Sequence, residues 1–172
     1  MPHKAVTLGR FAPTYGWQNR LLRVDLSSGR IWAEPTEPYI PDYIGARGIA
    51  AKILWDEYPE PVDPFDGRCP LMIIPGALTG ARSPYSGRTA ICTFGPQGHP
   101  YTWFTRANIG ANWGHELKVA GYDGVVITGA SDTPVRILIR DDEVSLLPAH
   151  ELWGMDALQV QEAITAADGR GV

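Results

Sequence analysis

Three short clusters concentrate the residues that could handle a ligand: Gly45-Ala46-Arg47-Gly48, Ser86-Gly87-Arg88, and Asn108-Ile109-Gly110-Ala111-Asn112-Trp113-Gly114. Glycines let a backbone approach a ligand closely and expose its N–H and C=O groups. A helix opening after such glycines favours an anion through its free N–H groups and its dipole. An arginine on a neighbouring turn adds a planar, bidentate grip on phosphate or carbonyl oxygens. Together these suit a phosphorylated, hydrogen-bonding cofactor. The plainer alternative is that the glycines serve tight turns and the arginines are solvated.

Other chemistry is hard to build from this chain. There is no G-x-x-x-x-G-K-[ST] phosphate loop and no G-x-S-x-G elbow, and His115-Glu116 lacks the second histidine of a zincin motif. His3, His99, His115 and His150 are scattered, and no spacing pairs two carboxylates. Cys69 and Cys92 stand far apart, against both a disulfide framework and a zinc site, and they suit a reducing cytoplasm. A net charge of -4 gives no electrostatic case for nucleic acid or an anionic membrane. No apolar run approaches the ~20 residues of a spanning helix, and the N-terminus lacks the apolar stretch of a secretory signal.

The elements that must position these clusters follow from periodicity. Residues 1–16 show none and read as an irregular leader, leaving 17–172 as one domain. Leu22, Val24 and Leu26 alternate with Arg23 and Asp25, and Ser27-Ser28-Gly29-Arg30 turns the chain into Ile31-Trp32-Ala33, a β-hairpin. Ile49, Ile53 and Leu54 predict a helix from about Arg47 to Tyr58. Short strands are expected at Leu71–Ile74, Thr89–Phe94 and Gly124–Thr128, with a hairpin of Val135–Arg140 and Val144–Leu146. After Phe94 come a Gly/Pro loop and an aromatic run, Tyr101-Thr102-Trp103-Phe104. Trp113, Leu117 and Ala120 predict one face of a short helix, and Asp156-x-x-Gln159 reads as a capping box opening a last one. The fold class is α+β: mostly antiparallel, hairpin-connected strands with about three short helices.

The order of the clusters resembles the aldehyde:ferredoxin oxidoreductase family, in its N-terminal domain. The resemblance runs through Leu21-Leu22-Arg23-Val24-Asp25-Leu26, Ser28-Gly29-Arg30, Tyr43-Ile44-Gly45-Ala46-Arg47-Gly48, Val62-Asp63-Pro64 and Gly76-Ala77-Leu78-Thr79-Gly80. It continues through Ser86-Gly87-Arg88 and Asn108-x-Gly110 to its most specific stretch, Gly114-His115-Glu116-Leu117-Lys118-Val119-Ala120-Gly121-Tyr122-Asp123-Gly124, and to Trp153-Gly154. The resemblance implies a β-rich base for two pterins whose sulfurs hold tungsten or molybdenum, with a magnesium ion bridging the pterin phosphates. It further implies oxidation of an aldehyde to a carboxylate, with electrons passing through a [4Fe–4S] cluster to ferredoxin.

Carried over by motif, Asn108 would turn its backbone carbonyl to the magnesium, Gly110 would let a pterin lie close, and Ala111 would belong to the cofactor-binding set. Arg88 would reach between pterin and cluster, and Arg47 would join the same cofactor-binding set. The chain departs from the family at Gly95–Phe104, which is longer and richer in aromatics. Cluster-ligating cysteines are expected outside these residues, since two cysteines cannot complete a Cys₄ site. The expected partners are therefore the remaining domains or subunit of an oxidoreductase, an electron carrier and a small aldehyde. A non-catalytic α+β binding module, or a truncated remnant of the same fold, is the alternative.

Overall fold

In the computed structural model, residues 4–14, 16–40, 42–81, 83–98 and 100–169 are described. Among these residues, nine strands and three α-helices run in the order β1 (Lys4–Thr7), β2 (Leu21–Asp25), β3 (Arg30–Glu34), α1 (Arg47–Glu57), β4 (Leu71–Pro75), β5 (Thr89–Gly95), β6 (Trp103–Ile109), α2 (Trp113–Val119), β7 (Gly124–Thr128), β8 (Val135–Arg140), β9 (Glu143–Pro148) and α3 (Ala157–Asp168). Six strands form one sheet in the order β3-β2-β7-β4-β5-β6, and three form a second in the order β1-β9-β8. Every pairing is antiparallel except β2 with β7.

The large sheet is covered on both faces, which is why its central strands are apolar on both sides. On one face α1 lays Ile49, Ala50, Ile53 and Leu54 against Leu21, Met72, Ile74, Ala90, Cys92 and Val126. On the other, Leu22, Val24, Ile31 and Val125 pack with Leu117, Tyr122 and, from the small sheet, Val144 and Leu146. The alternation in β2 holds, but its polar side is not solvated. Arg23 is buried and donates to Glu34 and to Glu57 at the end of α1, so the strand carries a neutralised charge under the helix.

Three expectations are corrected. Lys4–Thr7, inside the expected irregular leader, is a strand paired with β9; residues 1–3 lie outside the described residues. Trp103 and Phe104 of the aromatic run, with Asn108 and Ile109 of the expected turn cluster, belong to one strand, β6, in unbroken register with β5 over seven residue pairs from Thr89–Ile109 to Gly95–Trp103; His99, in the loop before it, lies outside the described residues. In α2 the buried face is Gly114, Leu117 and Lys118, with Trp113 turned outward. A Cβ on Gly114 would collide with Thr89 Oγ1, so glycine there lets α2 close on the sheet. The capping box is present: Asp156 accepts from the Leu158 and Gln159 backbones, and Gln159 accepts from the Asp156 backbone. Far from that cap, Arg136 and Arg140 hold Asp168 at the end of α3. Among the described residues no helix is long and apolar enough to cross a membrane.

Candidate functional site

The three clusters meet at one end of the large sheet. Gly76, just past β4, donates its N–H to the Arg88 carbonyl at 3.3 Å and forms an antiparallel bridge with Gly45. The β5–β6 ladder ends at the Thr89–Ile109 pair, with Arg88 just before it on one strand and Gly110 just after it on the other. Arg47 opens α1 two residues after Gly45. The Thr79 hydroxyl donates to the Ser86 carbonyl at 2.7 Å, tying the turn after β4 to the strand that brings in Arg88. Arg47, Arg88, Asn108, Gly110 and Ala111 are thus gathered from separate parts of the chain by sheet pairing.

Faces follow from the register, because opposed residues of an antiparallel pair project to the same side. Ala90 and Cys92 face α1. Asn108 is opposite Ala90 and Arg106 opposite Cys92. Both therefore lie on the α1 side, but β6 is the sheet's edge, beyond the helix, and both stay exposed.

Asn108 belongs to a strand and not to the turn expected from its neighbours. The turn begins one residue beyond Gly110. Ala111 takes the left-handed conformation at φ 59, whereas Gly110 has no positive φ. A Cβ on Gly110 would meet nothing within 4 Å. Neither backbone conformation nor packing against the described residues calls for glycine at that position.

The electrostatics separate this end from the rest. Arg10, Arg20, Arg23, Arg68, Arg136 and Arg140 each meet a carboxylate. Arg30 lies 4.6 Å over the Trp32 ring. Among the described residues, Arg47, Arg88 and Arg106 have no carboxylate within 4.0 Å, and their side chains make no hydrogen bond to described residues. The first turn of α1 adds to this: Ala46, its N-cap, offers no side-chain cap, and no acidic residue follows. Burial pushes the Cys92 thiol up to about 11, while the nearby Arg106 and Arg47 guanidinia pull it the other way. Cys92 is accordingly a neutral core thiol, and Cys69 is half-buried with its sulfur 3.3 Å from the Thr93 hydroxyl.

Arg106 escaped the sequence reading. It has no flanking glycine, and it is legible only once 103–109 is known to be a strand with Asn108 and Arg106 two residues apart. The Gly114–Gly124 stretch also has a role that motif order did not reveal. Lys118 Nζ meets Asp123 Oδ1 at 2.6 Å, both buried, and lies 4.7 Å over the Trp17 ring. Asp123 also accepts from the backbones of Gln18 (2.9 Å) and Arg20 (3.2 Å). The Arg20 guanidinium covers the buried Tyr122 ring at 4.3 Å and reaches Asp142 and the Leu8 carbonyl. This is a clasp holding 16–20 to α2 and β7.

Comparison with known proteins gives the same direction. The model of the aldehyde ferredoxin oxidoreductase N-terminal domain matches residues 21–172. Similar proteins include the tungsten-containing aldehyde ferredoxin oxidoreductases of Thermococcus kodakarensis (39% identical over 151 residues) and Pyrococcus furiosus (37% over 152 residues). Each alignment covers 87% of this chain and 24% of that protein. The chain is also 32% identical over 155 residues to the WOR-like subunit of an aliphatic sulfonate oxidoreductase of Pyrococcus furiosus. A solved relative in structure is the active-site complex of benzoyl coenzyme A reductase with 1,5-dienoyl-CoA. It matches at TM-score 0.82 and 33% identity, over 89% of this chain and 23% of that one. The chain therefore spans about a quarter of the length of these relatives, and by both sequence and fold it belongs to the aldehyde ferredoxin oxidoreductase family, as its N-terminal domain.

Proposed function

We propose that this chain is the pterin-binding base of a tungsten- or molybdenum-dependent oxidoreductase that converts an aldehyde to a carboxylate. The observation that carries the reading is the set of arginines without carboxylate partners at the glycine-lined end of the large sheet. Elsewhere the fold pairs or stacks its described arginines, so counter-charge at this end is left for a ligand. Two pterin phosphates and their magnesium fit that requirement, and the tungsten-containing relatives favour the metal.

In this reading Arg88 and Arg47 hold anionic oxygens through their planar forks. Asn108 offers its carbonyl to the magnesium from a strand whose position is fixed by β5. Gly110, which has no packing duty among the described residues, leaves room for a flat ring to lie against the backbone, with Ala111 turning the chain away. The bound cofactor would supply a soft, sulfur-ligated metal able to take two electrons from the substrate. A [4Fe–4S] cluster and ferredoxin complete the path, with cluster ligands from other parts of the enzyme, because Cys92 is a buried neutral thiol. The test is Gly110→Ala in the complete enzyme. The variant is expected to be folded and to lack tungsten, molybdenum and pterin. Normal loading would show that nothing lies against that backbone and would overturn the reading.

A further inference from the structure

Ala46, the residue before α1, stands at φ 44 and ψ -117. That lies well away from the left-handed helical well and is the mirror image of extended backbone. Glycine enters this region freely, whereas a residue with a Cβ enters it only under strain. Such a conformation persists only where the surroundings impose it.

Here the chain is held on both sides of the strained residue. Gly45, at φ 138, forms its antiparallel bridge with Gly76. The Trp17 ring lies so near that a Cβ on Gly45 would be 2.8 Å from Trp17 Cη2. Trp17 is itself buried, with the Lys118 ammonium 4.7 Å over its ring. On the other side Ile49, Ala50, Ile53 and Leu54 are fixed in the core. Ala46 joins these two anchors and takes up the misfit between them.

Two hydrogen bonds close the first turn of α1 over this junction. The Gly48 N–H donates to the Gly45 carbonyl at 2.9 Å, and the Ala50 N–H donates to the Ala46 carbonyl at 3.2 Å. Breaking them lets Ala46 rotate to a relaxed conformation while Ile53 and Leu54 stay packed. Strain in the closed state therefore brings the opened state nearer in free energy than an ordinary helix end would be.

We propose that Gly45–Ala46 is a strained latch, closed by Trp17 and Gly76. Its opening swings the first turn of α1 away from the end of the large sheet so that the cofactor can enter, and it closes once the cofactor is seated. The purpose of the motion rests on the pterin reading; the motion itself belongs to this chain and does not.

Amide hydrogen exchange in the 172-residue chain tests the motion. The Gly48 and Ala50 amides are expected to exchange about tenfold faster, or more, than those of Ile53 and Leu54. Ala46→Gly removes the Cβ and should slow Gly48 and Ala50 by about tenfold, the scale of such backbone strain. Ala46→Ser separates strain from helix capping. Serine caps better than alanine but keeps the Cβ, so the rates should stay within about twofold of wild type. Equal rates along α1 in wild type would overturn the latch. So would unchanged rates in Ala46→Gly, or a slowing by Ala46→Ser that matches it.

In the complete enzyme, removal of the cofactor should speed exchange at Gly48 and Ala50 by about tenfold or more, because a ligand that binds the closed state stabilises it. Unchanged rates on removal would overturn the loading role. If the wild-type enzyme held no pterin, the function proposed above would fail, while exchange in the chain would still decide the latch.

Discussion

At the Lys118–Asp123 clasp the charges are inside and met; at the Arg47–Arg88–Arg106 end they are outside and unmet. Asp123 accepts from Lys118 and from two backbone N–H groups, and Lys118 in turn reaches the Gly16 carbonyl and the Trp17 ring. Charges taken out of water persist only when so fully engaged. The arginine end has the opposite economy: water solvates each guanidinium, so folding does not depend on them and a ligand can replace the water. Both regions lie within the stretch whose motif order resembles the family, yet one motif maintains the fold and the other faces a ligand. Motif specificity alone does not separate the two roles; partners do.

The largest effect that could break this comparison is at the clasp. Asp123→Ala leaves a buried ammonium and two backbone donors unpaired, and a loss of about 3–5 kcal/mol is expected in chemical denaturation. A loss below about 1 kcal/mol would mean that the clasp is incidental.

Two glycines sharpen the contrast. Gly114→Ala drives a Cβ into Thr89 Oγ1 and should cost about 1–3 kcal/mol, as overpacking does. Gly110→Ala meets open space and should shift stability by no more than about 1 kcal/mol, even as metal content falls in the complete enzyme. Equal destabilisation by the two would erase the distinction between a packing glycine and a ligand-facing one.

Acid probes the clasp from its outer edge. Hydrogen bonds from Arg10 and Arg20 hold Asp142 below the usual carboxylate range. A depressed folded value stabilises above the unfolded value near 4 and is lost as pH falls through the lower folded one. Melting temperature should therefore fall with pH below about 4, and this slope should weaken in Asp142→Asn. An identical slope in the variant would remove Asp142 from the account.

Smallest of all, Arg88→Ala should stay within about 0.5 kcal/mol of wild type, as exposed substitutions do. A loss above about 2 kcal/mol would make Arg88 a structural residue.

Legibility in the sequence followed the reach of the interactions. The β2–β3 hairpin, α1 and the Asp156 cap are local, and alternation, helical spacing and a four-residue motif disclosed them. β1 was hidden because four residues with little apolar character acquire strand form only from Val144, Ser145 and their neighbours in β9. β6 was hidden because its aromatics, Asn108 and Gly110 look like a loop until β5 lies alongside. The site inherited the same limit. Cluster order disclosed Arg47, Arg88, Asn108 and Gly110 as a set, while Arg106 is meaningful only through its register with Cys92.

The β2–β7 pairing has a consequence for synthesis of the chain. β2 is made well before β7, yet it adjoins β3 and β7 and has no sheet partner among β4, β5 and β6. Arg20 and Asp123, where the two ends meet, are 103 residues apart. The early hairpin and the β4–β5–β6 meander can each form locally, but they remain separate pieces until β7 slides between them. Such late, long-range closure slows folding and exposes strand edges while it waits.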